Sequence, residues 1–325
     1  MSRIGQFLRW GVSLILVAWL AARLDWPALG RQFSGLDWRW IAPAALAAPL
    51  VIVLLAVRWR LFLQAQRVVV SFADVLRLIW GGQFFNSYLP GSTGGDVYKI
   101  VAIGALAPNT RSEAAATVIL DRLVALLALF MIALGALAVE PGPWRQALAF
   151  SATLPKGLLA GGVLILAVLL AGTAWLMRRD PCNGWAARAR QALVRIRNAL
   201  LVGVQDRRTL GFAVVLSFSI HLANFFGVFC LARSLGTGIS YGEILLMMPV
   251  VMFAVLLPVT VNGHGLREML LIGYFQWLGL SNVHGAAPRE AAIAFSVLYV
   301  ASDLCWGLPG GVWFALHRHR RPQQT

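Results

Sequence analysis

Charge is sparse in this chain, and negative charge is sparser still. Only 13% of the 325 residues are charged, and 13 acidic side chains face 28 basic ones. With 59% hydrophobic residues and a mean hydropathy of +0.73, that scarcity excludes a soluble enzyme carrying an anchor. It points to a polytopic membrane protein. Cysteine is scarce as well: Cys182, Cys230 and Cys305 are odd in number, far apart and form no C-x-x-C. They argue against a disulfide framework or a metal site and read as small apolar fillers. Nucleotide-loop, zinc-protease and nucleophile-elbow spacings are missing too. No polar stretch is long enough for a catalytic domain. We therefore expect no enzyme, no catalytic residue, no metal and no cofactor.

What positive charge there is gives a net +15. Its placement argues against a nucleic-acid partner, because no basic stripe interleaves with aromatics in a soluble segment. The arginines gather instead in the gaps between apolar runs, as cytoplasmic loops facing anionic headgroups do. A span takes about 20 apolar residues. Six candidates fall at 8–24, 40–57, 113–139, 157–177, 209–233 and 288–316. Arg3 and Arg9 precede the first, and Arg23, Asp25 and Trp26 follow it without a small-residue cleavage site. It reads as a retained span rather than a signal peptide.

Two further apolar regions, 74–105 and 241–279, are interrupted near their centres. The first interruption is Asn86-Ser87-Tyr88-Leu89-Pro90-Gly91-Ser92-Thr93-Gly94-Gly95-Asp96; the second runs from Leu257-Pro258 through Asn262-Gly263-His264-Gly265 to Arg267-Glu268. Irregular backbone survives at membrane depth only inside protein or beside a water-filled cavity. Paired broken segments in two halves point to a transporter-type binding site. Each region reads as a re-entrant pair of half-helices. With the N-terminus cytoplasmic, Arg58, Arg60, Arg67, Lys99, Arg111, the 178–208 cluster and the tail arginines all fall on one side. Three spans then separate the broken segments, which makes their topologies inverted. Leu-Pro-x-x-x-x-Gly recurs at 89–95 and 257–263, and each is followed by a Glu-Ala-Ala span holding an Asp. The whole chain, 1–325, reads as one membrane domain: all-α, six full spans, two re-entrant pairs and an inverted repeat, with both termini cytoplasmic. Segment 178–208 reads as a basic amphipathic helix on the membrane surface, or as an ordinary positive-inside loop.

Ionisable groups inside a bilayer cost about 2.5–3.5 kcal/mol each on the insertion scale, so each needs a partner or a role. Asp96 follows Gly94-Gly95 where the first broken segment restarts, with Lys99 on the same face at i+3. It caps the half-helix, contacts a ligand, or does both. Asp121 and Arg122 are adjacent and point in different directions, so each needs its own partner. They bind a ligand or fix helix packing. Arg122 is the strongest candidate for an anionic headgroup, because its planar fork matches phosphate. Arg267 and Glu268 mirror Asp96 and Lys99. Asp303 lies mid-span with Tyr299 at i−4. Gly91, Gly94, Gly95, Gly263 and Gly265 permit close backbone approach to an anion.

The runs GGQFFNSYLPGSTGGDVYK, ILDRL and LPVTVNGHGLRE, in that order, resemble the flippase-like transmembrane domain of lysylphosphatidylglycerol synthases. The resemblance extends over about residues 5–316 and includes stand-alone bacterial and archaeal membrane proteins, some linked to hopanoid or glycolipid pathways. It implies a polar-lipid translocation domain of the bacterial cytoplasmic membrane with a lipid-sized cavity. Its motif positions fall on Asn86, Pro90, Gly91, Gly94, Gly95, Asp96, Asp121, Arg122, Asn262, Gly263, Arg267 and Glu268. The partner so implied is a membrane lipid: an anionic phospholipid, a polyprenyl-phosphate glycolipid or a hopanoid type. The 325 residues hold no aminoacyltransferase domain, so lysyl-lipid synthesis is not expected of them. The competing expectation is a non-transporting accessory subunit that scaffolds lipid-biosynthesis enzymes through 178–208. A membrane transferase using Asp96, Asp121 and Asp303 is a third. Gly161-Gly162 permits close helix contact and hence an oligomer.

Overall fold

The computed structural model describes residues 33–88, 94–139, 206–256, 266–280 and 288–317, with Gly30 and five positions between 191 and 201. The spans expected at 8–24 and 157–177, and most of 178–208, lie outside the described residues. So do Pro90, Gly91, Asn262, Gly263 and His264.

Among the described residues every regular element is a helix. In chain order these are α1 (Trp38–Ala65), α2 (Phe72–Tyr88), α3 (Gly94–Leu106), a 3₁₀ turn (Pro108–Thr110), α4 (Arg111–Val139), α5 (Arg207–Ser234), α6 (Tyr241–Leu256), α7 (Leu266–Trp277) and α8 (Pro288–His317). Four of them, α1, α4, α5 and α8, are long and apolar enough to cross a membrane. They contain the spans expected at 40–57, 113–139, 209–233 and 288–316. At about 1.5 Å per residue, 28-residue α1 exceeds the roughly 30 Å hydrocarbon thickness. The helix therefore runs on past residue 57, and Arg58, assigned above to a cytoplasmic gap, is buried inside it.

The helices start where local chemistry provides a cap. Asp37 accepts the Arg39 amide at 3.0 Å and begins α1. Ser240 and Glu243 exchange side chain-to-amide bonds of 3.2 and 2.7 Å in a reciprocal capping box for α6. Asp206 accepts the Arg208 and Thr209 amides and starts α5. α1 ends with Arg67 at φ 56°, while the Val68 amide reaches back 2.9 Å to the Leu63 carbonyl. That is the helix-terminating geometry usually given to glycine.

In both interrupted regions one described helix ends and another begins. α2 ends at Tyr88 and α3 starts at Gly94; α6 ends at Leu256 and α7 starts at Leu266. α3 folds back along α2: Asn86 meets Gly95, Phe85 stacks on Tyr98 at 4.6 Å, and Gly82 faces Lys99. In the second pair, the Tyr274 hydroxyl near the end of α7 donates to the Glu243 carbonyl near the start of α6, at 3.3 Å.

Small residues set the closest approaches, as expected where lipid supplies no hydrophobic drive between helices. A Cβ on Gly227 of α5 would stand 3.0 Å from the Ala47 Cβ of α1. A Cβ on Gly310 of α8 would strike the Trp80 carbonyl of α2. Pro309 removes one amide donor inside α8. Side chains of α2 donate into α8 nearby: Trp80 Nε1 to the Trp306 carbonyl at 2.8 Å and Tyr88 Oη to the Leu304 carbonyl at 3.1 Å.

The buried apolar side chains form two large cores and a small one, in which Phe62 of α1, Leu120 and Val124 of α4 and Ala213 of α5 meet. Ile52, Trp59 and Leu63 of α1 pack with Val75 and Ile79 of α2, Ile103 of α3 and Val118 of α4. Phe225, Met247, Leu271, Phe275 and Phe295 build the larger core from α5 to α8. α1 and α4 bridge the two, sending Ala44, Leu129 and Ile132 into the second core.

Candidate functional site

A cavity of about 440 Å³ opens where α1 and α4 pass from one core to the other. Its apolar lining on α1 runs from the small Ala44, Ala47 and Ala48 to the larger Val51, Ile52 and Leu55, and continues on α4 and α6 with Leu126, Leu129, Met248 and Val255. Polar groups come from Gln83, Asn86 and Ser87 of α2, Arg267 of α7, and Tyr299, Ser302 and Asp303 of α8, which also contributes Val300, Leu304 and Trp306. Arg122, His221 and Asn224 add polar groups from α4 and α5.

The break between α2 and α3 is pinned by Asn86. Its Oδ1 accepts the Gly95 amide at 2.8 Å, one of the donors a helix start leaves without a partner. Gly95 sits so close to α2 that an added Cβ would overlap the Gly82 carbonyl oxygen. Only glycine fits there. This contact places Asp96, in the first turn of α3, against α4. Arg122 Nε donates to Asp96 Oδ2 at 2.6 Å. Lys99 Nζ stands 2.9 Å from Oδ1, but outside hydrogen-bonding alignment. The Lys99 ammonium also lies 5.8 Å from the centre of the Trp59 ring. Arg122 keeps 43% of its side chain exposed and lines the cavity. Asp96 and Lys99 stand behind it.

Asp121, the neighbour of Arg122, turns the other way. Its carboxylate accepts from Arg58 Nε at 2.7 Å and Nη2 at 2.9 Å, while Arg58 Nη1 donates to Ser217 Oγ at 2.8 Å. Arg58 is 2% exposed. This two-pronged pair ties α1, α4 and α5 together, and Asp121 is not among the cavity-lining residues.

At the second break, Arg267 Nη2 donates to Glu268 Oε1 at 2.7 Å, and Ser296 Oγ donates to the same oxygen at 2.8 Å. The Arg267 guanidinium lies 5.3 Å from the centre of the Tyr299 ring. One helical turn on, Asp303 faces the cavity, and its backbone carbonyl accepts from Ser87 Oγ at 3.4 Å.

Five of the residues singled out in the sequence therefore meet at one cavity: Asn86, Arg122, Arg267, Tyr299 and Asp303. Gly95, Asp96, Lys99 and Glu268 hold or pair with members of that group, and Gly94 starts α3. Gln83, Ser87, His221 and Asn224 were missed. They were legible as polar positions on one helical face, at 83, 86 and 87 of α2 and at 217, 221 and 224 of α5. His221 Nε2 donates to the Ala125 carbonyl at 3.0 Å, which fixes the ring against α4.

The comparisons with known proteins agree with this all-helical membrane architecture. A UPF0104 membrane protein of Pyrococcus horikoshii is 24% identical over 337 aligned positions, which cover 93% of each chain. Residues 6–307 match the family described as the lysylphosphatidylglycerol synthase TM region. With residues 6–307 of its 325 matched, the protein is a membrane protein that belongs to the lysylphosphatidylglycerol synthase transmembrane-region family.

Proposed function

We propose that the protein binds a polar lipid in the cavity and passes it between the leaflets of the cytoplasmic membrane, without chemical change to the lipid. The observation that carries this reading is the mixed lining of the cavity, where aliphatic side chains stand beside Arg122, Arg267 and Asp303. A site of this kind suits an amphiphile, and the exposed guanidinium of Arg122 suits an anionic or phosphorylated headgroup. At about 440 Å³ the cavity takes the headgroup and the first part of the chains.

In this reading the two helix breaks are re-entrant pairs entering from opposite sides. Six spans surround them and both termini are cytoplasmic. The separate apolar core around each pair supports an inverted repeat. Irregular backbone beside a cavity at the repeat interface is how membrane transporters place their sites.

The test is reconstitution of the purified chain into liposomes carrying headgroup-labelled phosphatidylglycerol, at several pH values and ion gradients. Faster exchange between leaflets, lost in Arg122→Ala, is the expected result. No acceleration under any condition sinks transport, and a covalently altered lipid would make the protein an enzyme.

A further inference from the structure

Arg122 is bonded from one edge only. Its Nε donates to Asp96, and among the described residues its two terminal nitrogens have no protein partner. That free edge belongs to a side chain lining the cavity. Asp96, by contrast, has a second cation beside it. Lys99 Nζ already lies 2.9 Å from Oδ1, on the same helix and one turn away, without good alignment to it. If Arg122 leaves, Asp96 keeps a counter-ion. If Asp96 leaves, the part-exposed Arg122 guanidinium loses its anionic partner and is open to another anion.

From this asymmetry we propose that the free edge of Arg122 is the seat for the phosphate of a net-anionic lipid. Asp96 is the resident anion which that phosphate displaces, and Lys99 takes over the Asp96 charge. The proposal rests on the lipid-binding reading above and specifies its headgroup chemistry. Two terminal nitrogens in one plane offer a phosphate a paired hydrogen bond of the charge-assisted kind. Of the ion pairs among the described residues, Arg122–Asp96 is the one that joins α3 to α4. Exchange at Arg122 therefore also releases the first turn of the restarted half-helix from its neighbouring span, while Arg111 of α4 still holds the Gly104 carbonyl near the far end of α3 at 2.9 Å. Cargo arrival and loosening of the α2–α3 hairpin become one event.

The assigned roles make opposite demands on neighbouring charges, and four proteins test them. Wild type, Asp96→Asn, Lys99→Gln and the double variant Asp96→Asn/Lys99→Gln are purified in detergent with an equimolar mixture of phosphatidylglycerol and monoglucosyl diacylglycerol. Retained lipid is counted by mass spectrometry, and unfolding temperatures confirm that each variant is folded. Asp96→Asn should retain phosphatidylglycerol severalfold better than wild type, because the competitor is gone. Lys99→Gln should retain it severalfold less well, because Asp96 then depends on Arg122. The double variant decides the matter. It has the wild-type net charge, yet should behave like Asp96→Asn.

A double variant at the wild-type level would mean that only the local electric field counts, and would overturn the exchange. Weaker retention in Asp96→Asn would make Asp96 part of the seat and overturn it too. Selective retention of the glycolipid would leave lipid binding standing and remove the phosphate seat. Retention of neither lipid by any of the four proteins would remove both.

Discussion

Arg58 and Asp121 lie 63 positions apart in the chain and meet through two parallel bonds of 2.7 and 2.9 Å inside the helix bundle. Ser217 takes the third donor of Arg58, so the guanidinium is shared by three helices. Such a pair adds little over a well-packed apolar replacement, but losing one half strands a buried charge at roughly 3–5 kcal/mol. Arg58→Ala and Asp121→Ala should each lower the unfolding temperature in detergent sharply. The paired change Arg58→Met/Asp121→Leu should recover most of that loss and keep the lipid profile of the wild type. A profile that changed while stability held would return Asp121 to the binding site.

Glycine substitutions offer a graded test of the hairpin. A Cβ at Gly95 overlaps the Gly82 carbonyl, one at Gly82 comes to 3.3 Å of the Gly95 carbonyl, and one at Gly211 meets nothing within 4 Å. Overpacking of this kind costs about 1–3 kcal/mol, and more when backbone itself is struck. Thermal unfolding should rank Gly95→Ala as the most damaging, Gly82→Ala as intermediate and Gly211→Ala as neutral. Equal effects from all three would show that α3 does not lie against α2 as described.

The indole of Trp80 contributes one hydrogen bond to the Trp306 carbonyl beside the proline of α8. Trp80→Phe keeps an aromatic ring and removes that donor. The expected loss is about 1 kcal/mol, the usual net value of such a bond. It should appear in thermal unfolding together with faster amide hydrogen exchange around residues 306–310.

Filling the cavity should separate binding from folding. Ala48 lines it and is only half-buried, so Ala48→Trp has room to extend inward. Lipid retention and leaflet exchange should fall together while the unfolding temperature stays near that of wild type. Unchanged lipid retention by the folded variant would place the lipid elsewhere.

The long helices were legible because hydropathy is a local property, and the breaks were legible because Gly and Pro cannot continue a helix without consequence. The charge partners were not. Arg58 looked like the end of a span, since hydropathy counts an arginine against the membrane wherever it stands. Its burial depends on an aspartate three helices further along the chain. Asp96 and Arg122 were both singled out, yet nothing in their spacing of 26 residues reveals that they bond. That contact exists because Gly95 lets α3 lie close against α2. Tyr299 and Asp303 were paired by their helical spacing, but the cation over the Tyr299 ring comes from Arg267 on α7, in the second broken pair. Pairing of this kind belongs to the bundle rather than to any one stretch of chain.

Two alanines one turn apart and a facing glycine bring α1 and α5 nearly to backbone contact, and this seam forms part of the cavity wall. Methyl groups on closely set backbones offer a hydrocarbon tail neither a donor nor a distinctive shape. Such a wall gauges girth. It is blind to how long a fatty chain is, or whether it carries a double bond beyond the enclosed portion. On the proposed lipid-binding reading, a cell that remodels its acyl chains with growth temperature leaves the set of lipids taken here unchanged.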